Sequence, residues 1–180
     1  MNRLVKVERE ADIFPHLRDT PIGRLLRYHN LGEPHEAHAS AELLIGMCMD
    51  NRKSMRIPDN FAFVIRAGGG NLRYSEFKVS FAIAVGGVRA IALVGHTNCG
   101  MVGLRSRREQ FIDGLVKNAG WERDRAEEHF AQLAPLFEIG NEVDFVLSEA
   151  VRLRGRYPKV LVAPLIYRVE DNLLYLVREG

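Results

Sequence analysis

The sequence predicts an α/β fold with a mainly parallel β-sheet flanked by helices, preceded by an N-terminal arm. Three observations carry this reading. Short apolar runs recur at 41–50 (AELLIGMCMD), 61–70 (FAFVIRAGGG) and 90–100 (AIALVGHTNCG), each ending in polar or glycine-rich residues, as buried parallel strands do. A helix-period segment separates the second run from the third, giving strand, helix and strand at crossover length. The 180 residues also suffice for one domain that buries roughly two thirds of its unfolded surface without disulfides.

Taken in order, residues 1–39 read as an arm and 40–180 as the core of a single domain spanning 1–180. In the arm, Ile22, Leu25 and Leu26 sit at helical spacing, but Pro15, Pro21, Gly32 and Pro34 interrupt it. That apolar stripe has no obvious partner inside a compact sheet domain. The segment SEFKVSFAIAVGG (75–87) predicts a helix with Phe77, Phe81, Ala84 and Val85 on one face, capped by Ser75 and stopped by Gly86-Gly87. Residues 107–138 are charge-rich with helical character. NEVDFVLSEAVRLRG (141–155) predicts an amphipathic helix with Asn141 as cap and an apolar stripe of Val143, Val146, Leu147, Ala150 and Val151. VLVAPLIYRV and NLLYLV, joined by Glu170-Asp171, read as a closing strand and its hairpin partner.

Composition limits the functions available. A formal charge of +2, from 25 basic and 23 acidic residues, gives no general pull toward nucleic acid or an anionic membrane. No apolar stretch approaches the roughly 20 residues a bilayer span needs. The first residues, MNRLVKVEREADIF, mix charges through their apolar positions and lack a signal-peptide core. A cytoplasmic protein is the expectation, and a reducing cytosol argues against a structural disulfide between Cys48 and Cys99.

The chemistry gathers at strand ends, where open parallel sheets bind ligands. Three runs end in reactive residue types: Cys48-Met49-Asp50-Asn51-Arg52, Arg66-Ala67-Gly68-Gly69-Gly70 and His96-Thr97-Asn98-Cys99. If these strands are neighbours, Cys48, His96 and Cys99 converge. Two thiolates and an imidazole make a three-ligand zinc site that leaves a fourth position open.

This pattern is similar to that of the β-class carbonic anhydrases, particularly their short members. The resemblance runs from about residue 40 to the end. It rests on C-x-D-x-R at 48–52, the arginine and glycines at 66–69, H-x-x-C-G at 96–100, and the terminal APLIYRVEDNLLYLV. The resemblance implies zinc held by Cys48, His96 and Cys99, with Asp50 and Arg52 as a catalytic dyad. It implies reversible hydration of carbon dioxide to bicarbonate by a zinc-bound hydroxide, which Asp50 orients while Arg52 holds Asp50. It further implies a homodimer or dimer of dimers. Two positions depart from the pattern: Asn51 stands where serine is usual, and Ala67 where asparagine is usual. They leave open hydrolysis of carbonyl sulfide or carbon disulfide on the same site, and a non-catalytic zinc protein.

Other motifs read more plainly. Gly68-Gly69-Gly70 fails the dinucleotide pattern, because Arg73 holds the third glycine's place, and close backbone packing is the better account. PHEAH places His35 and His38 three apart rather than four, so it is not a zinc-protease element. Arg105, Arg107 and Arg108, and Arg152, Arg154 and Arg156, read as solvated faces.

Overall fold

The computed structural model describes residues 3–179. Six strands, β1 (Leu4–Lys6), β2 (Leu43–Met47), β3 (Ala62–Arg66), β4 (Ala90–His96), β5 (Leu161–Arg168) and β6 (Leu173–Val177), form one sheet ordered β1-β6-β5-β4-β2-β3. β3, β2, β4 and β5 run parallel, and β6 and then β1 add antiparallel at one edge. Every residue of β2 and β4 is buried, as their unbroken apolar runs require.

A parallel sheet needs both faces covered. On one face, Ile45, Met47, Ala92 and Val94 pack against Ile13, Leu17, Ile22 and Leu25. The covering elements are α1 (Pro15–Arg18), α2 (Pro21–Leu26) and the π-helical turn Arg27–Leu31. The stripe Ile22, Leu25 and Leu26 therefore does have a partner within its own chain: all three are 0% exposed in this core. Pro15 and Pro21 open the two helices, Gly32 in a left-handed conformation ends the π-helical turn, and Thr20 caps the second helix by accepting from the Ile22 and Gly23 amides.

The other face is covered by α3 (Glu76–Ala84) and α6 (Glu142–Arg156). In α6, Val146, Ala150 and Leu153 are buried, and Asn141 accepts from the Asp144 amide as its cap, but Val151 is 65% exposed and leaves the expected stripe. Gly95 lets α6 lie close to β4, since a Cβ there would sit 2.8 Å from Val146 Cγ1. α3 is turned the other way from expectation. Val79 and Ala82 face the core while Phe77 and Val85 are 82% and 71% exposed, and Ser75 makes no side-chain cap. Its outward aromatics adjoin Phe63 and Val64 of the edge strand β3 in one apolar hollow. The charge-rich stretch forms two helices, α4 (Arg108–Ala119) and α5 (Arg123–Phe137). Arg152 is not a solvated charge: with Arg73 it neutralises Glu149, whose side chain is fully buried. Among the described residues no helix is long and apolar enough to cross a membrane.

Candidate metal centre

β2 and β4 are hydrogen-bonded neighbours with Met47 opposite Val94, so the residues that follow each strand emerge side by side. Cys48, His96 and Cys99 are brought together there. Their sulfur and nitrogen ligand atoms lie within 4.8 Å of one another, all three residues are buried, and both thiols are free. Asn98 makes the turn between His96 and Cys99 at a positive φ of 56°, a conformation asparagine tolerates.

The imidazole is set in one tautomer. Nδ1 lies 2.9 Å from the Thr97 carbonyl, which can only accept, so Nδ1 carries the proton and Nε2 its lone pair. That Nε2 is buried without a hydrogen-bond partner among the described residues. An orphaned imidazole nitrogen between two buried thiols is a costly arrangement for protein alone and a fitting one for a metal ion.

Backbone amides already face the sulfurs. Gly69 donates to Cys48 Sγ at 3.3 Å, and the Asp50 and Met101 amides act on Cys48 and Cys99 respectively. Gly69 and Gly70 take φ of 65° and 76°, a conformation that favours glycine at these two positions. The thiols titrate as a pair. The hydrogen bond between them lowers the pKa of Cys48 and raises that of Cys99, so Cys48 is the first to ionise.

Beside the cluster, Arg52 grips Asp50 through Nε at 3.0 Å and Nη2 at 2.6 Å, and the Arg52 amide donates to Oδ1 at 2.9 Å. This contact holds the Asp50 carboxyl far below the usual carboxylate range. Asp50 Oδ2 stands 3.9 Å from His96 Nε2, and Arg52 Nη2 also donates to the Asn98 carbonyl at 2.9 Å, tying the two loops together. Arg66 donates to the carbonyls of Cys48, Asp50 and Lys53.

Sequence reasoning passed over three residues here. Glu170 accepts from Thr97 Oγ1 at 2.8 Å and Asn98 Nδ2 at 2.9 Å. Glu142 accepts from the Cys99 amide at 3.1 Å. Lys53 is buried beside the first loop. Glu170 and Glu142 lie 72 and 43 residues from the loop positions they hold, and no local pattern announces such partners. Flanking the centre, Met49, Gly68 and Met101 line an open apolar hollow of about 290 Å³ together with Phe111, Phe130 and Phe137. Asn51 is exposed and Ala67 half-buried, its amide bonded to the Met47 carbonyl at 2.9 Å.

No family model matches the sequence, and no curated protein matches it. Solved structures do. The β-carbonic anhydrase isoform I of Trichomonas vaginalis superposes with a TM-score of 0.64 at 16% identity, over 83% of this chain and 91% of that one. A carbonic anhydrase from Glaciozyma antarctica gives 0.59 at 21% identity, over 90% and 98%. A carbon disulfide hydrolase in its apo form gives 0.55 at 19% identity, over 93% of each chain. The chain therefore has the β-carbonic-anhydrase-like α/β fold that its motifs suggested.

Proposed function

We propose that this protein is a zinc-dependent carbonic anhydrase that reversibly hydrates carbon dioxide to bicarbonate. The observation that carries the reading is the orphaned Nε2 of His96, buried between two thiols and 3.9 Å from a carboxylate already claimed by an arginine. Cys48, His96 and Cys99 would hold the ion, a sulfur-rich donor set that suits zinc over magnesium or calcium. Zinc, when bound, supplies a Lewis acid that brings the ionisation of water down to about pH 7.

The remaining work falls to the chain. Asp50, kept ionised by Arg52, can only accept, so it takes the hydrogen bond of the attacking oxygen and turns that oxygen's lone pair toward carbon. Arg52 keeps Asp50 from the ligand position by holding both carboxylate oxygens. The apolar hollow beside Met49 and Met101 favours a neutral substrate over charged bicarbonate. The proton released passes to solvent.

Carbon disulfide or carbonyl sulfide is the second reading, supported by the similar carbon disulfide hydrolase and by the two thioethers lining the hollow. The reading also takes residues 1–180 as one domain in the reducing cytoplasm. It includes a homodimer, for which the outward face of Phe63, Val64, Phe77 and Phe81 beside the edge strand is better placed than the buried arm. A monomer by light scattering at micromolar concentration would remove the dimer.

Metal content combined with stopped-flow proton release on carbon dioxide, carbonyl sulfide and carbon disulfide tests the function. The expected result is close to one zinc per chain and turnover of carbon dioxide, with Cys99→Ala losing most of the zinc. Zinc without turnover of any of the three would leave a binding protein, and full zinc retention in Cys99→Ala would end the ligand assignment.

A further inference from the structure

Two buried side-chain polar atoms among the described residues have no hydrogen-bond partner, His96 Nε2 and Lys53 Nζ. The first is answered by a metal ion. The second is not, because an ammonium repels a cation. Lys53 is 3% exposed, in a loop whose carbonyls at Cys48, Asp50 and Lys53 are all gripped by Arg66. A buried ammonium without a partner is costly, and natural proteins keep such groups mainly at functional sites.

The charges around it indicate what it faces. Burial lowers the Lys53 pKa, and the groups that push it back up are Cys48 first, then Asp50 and Cys99. In return, Lys53 is among the charges that lower the pKa of Cys48 and of Asp50. No ion pair joins Lys53 to Asp50, whose oxygens are taken by Arg52. Once a dication is held by two thiolates and a neutral imidazole, the thiolates have no charge to spare. Asp50 and Arg52 also cancel. Arg66 is exposed and screened by water. Among the described residues, Lys53 is then the one buried charge with no counter-ion.

Resting on the metal reading above, we propose that Lys53 is an electrostatic positioning residue that makes the loaded centre more positive than its ligands and the Glu142 carboxylate beside Cys99 would leave it, and so biases it toward small monovalent anions. It strengthens the hold on an anionic fourth ligand, hydroxide or bicarbonate, and it weakens the hold on the metal itself. These two effects have opposite signs. A residue needed only for packing would weaken both together.

That opposition makes the test. Cobalt is loaded in place of zinc into wild type, Lys53→Met, Lys53→Gln and Lys53→Arg. Metal affinity is read by chelator competition, and anion affinity by titrating thiocyanate against the visible spectrum. Removing the charge is expected to tighten cobalt about tenfold and weaken thiocyanate about tenfold, the size of one partly screened charge pair. Lys53→Arg should keep thiocyanate affinity within about twofold, since it keeps the charge. The loaded Lys53→Met protein should also melt about 2–6 °C higher, because an unpaired buried charge has gone. Unchanged thiocyanate affinity in Lys53→Met or Lys53→Gln that still take up cobalt overturns the proposal alone. Both affinities falling together also overturns it, in favour of packing. Failure of the wild type to take up cobalt or zinc overturns the metal reading, and this proposal with it.

Discussion

The loops that end β2 and β4 each bring a cysteine to the centre, yet opposite charges hold them. The first loop, residues 48–56, is held at its carbonyls by a cation, Arg66, which takes three of them, and it carries the buried Lys53. The second, residues 96–102, is gripped by carboxylates at its donors: Glu170 takes Thr97 and Asn98, and Glu142 takes the Cys99 amide. The thiols feel the difference. Lys53 helps lower the pKa of Cys48, whereas Glu142 helps raise that of Cys99. The two cysteines are alike in burial and unlike in readiness to ionise: the bond between the thiols is the main cause, and their supports add to it.

Arg52 is where the loops meet, since one guanidinium serves Asp50 in the first and the Asn98 carbonyl in the second. Its removal should have the largest effect on turnover. Arg52→Ala is expected to keep its zinc, because none of the three ligand atoms depends on Arg52, and to lose about 10²-fold in carbon dioxide hydration. Stopped-flow rates beside metal analysis decide this. Near-normal turnover would reduce Arg52 to a structural ion pair.

Glu170 tests the second loop alone. Glu170→Ala removes the acceptor for two side chains that flank the His96–Cys99 turn, and with it the charge that fixes Asn98 in its left-handed conformation. Because Glu170 is exposed, the expected loss is modest, about three- to tenfold in zinc affinity by chelator competition. Amide exchange should quicken at Cys99 and stay unchanged at Cys48. Equal quickening in both loops would show that they are one unit.

The parts legible from sequence are those with local signals. The apolar runs at 41–50, 61–70 and 90–100 declared β2, β3 and β4, and two of their ends named the cluster, because the neighbouring register makes Cys48 and His96 meet. Asn141 announced α6 by its cap. The arm's place in the core was hidden, because its helices are only four and six residues long, the second passes into a π-helical turn, and a three-residue strand has no period to show. The face of α3 was misjudged because Phe77, Phe81 and Val85 are as periodic as Val79 and Ala82, and hydrophobicity alone does not tell a core from a docking face. Lys53 reads in sequence as one more loop charge. Only its burial sets it apart.

The smallest expected effect belongs to His29, which tests the first loop from the arm. Its Nδ1 accepts from the Arg56 amide at 3.1 Å, and its Nε2 lies 3.0 Å from the Asn172 carbonyl. A neutral ring with its proton on Nε2 satisfies both contacts, whereas a charged ring would set an N–H against the Arg56 N–H. Burial accordingly lowers the His29 pKa, Arg56 adds to the fall, and the Asn172 carbonyl opposes it. A lowered folded pKa means that the unfolded chain binds the proton first as pH falls. The contribution to stability is therefore whole above about pH 6.5, the unfolded value, and shrinks below it by at most about 1.4 kcal/mol per pH unit. Urea midpoints taken at pH 7.5 and 5.5 should drop further for wild type than for His29→Gln, whose side chain does not titrate. At the lower pH, amide exchange should quicken at Arg56 before it does at Thr97 or Cys99, since only the first loop leans on the imidazole. Equal pH slopes for the two proteins would mean that His29 keeps its proton balance on unfolding, and that the first loop is held by Arg66 and Arg52 alone.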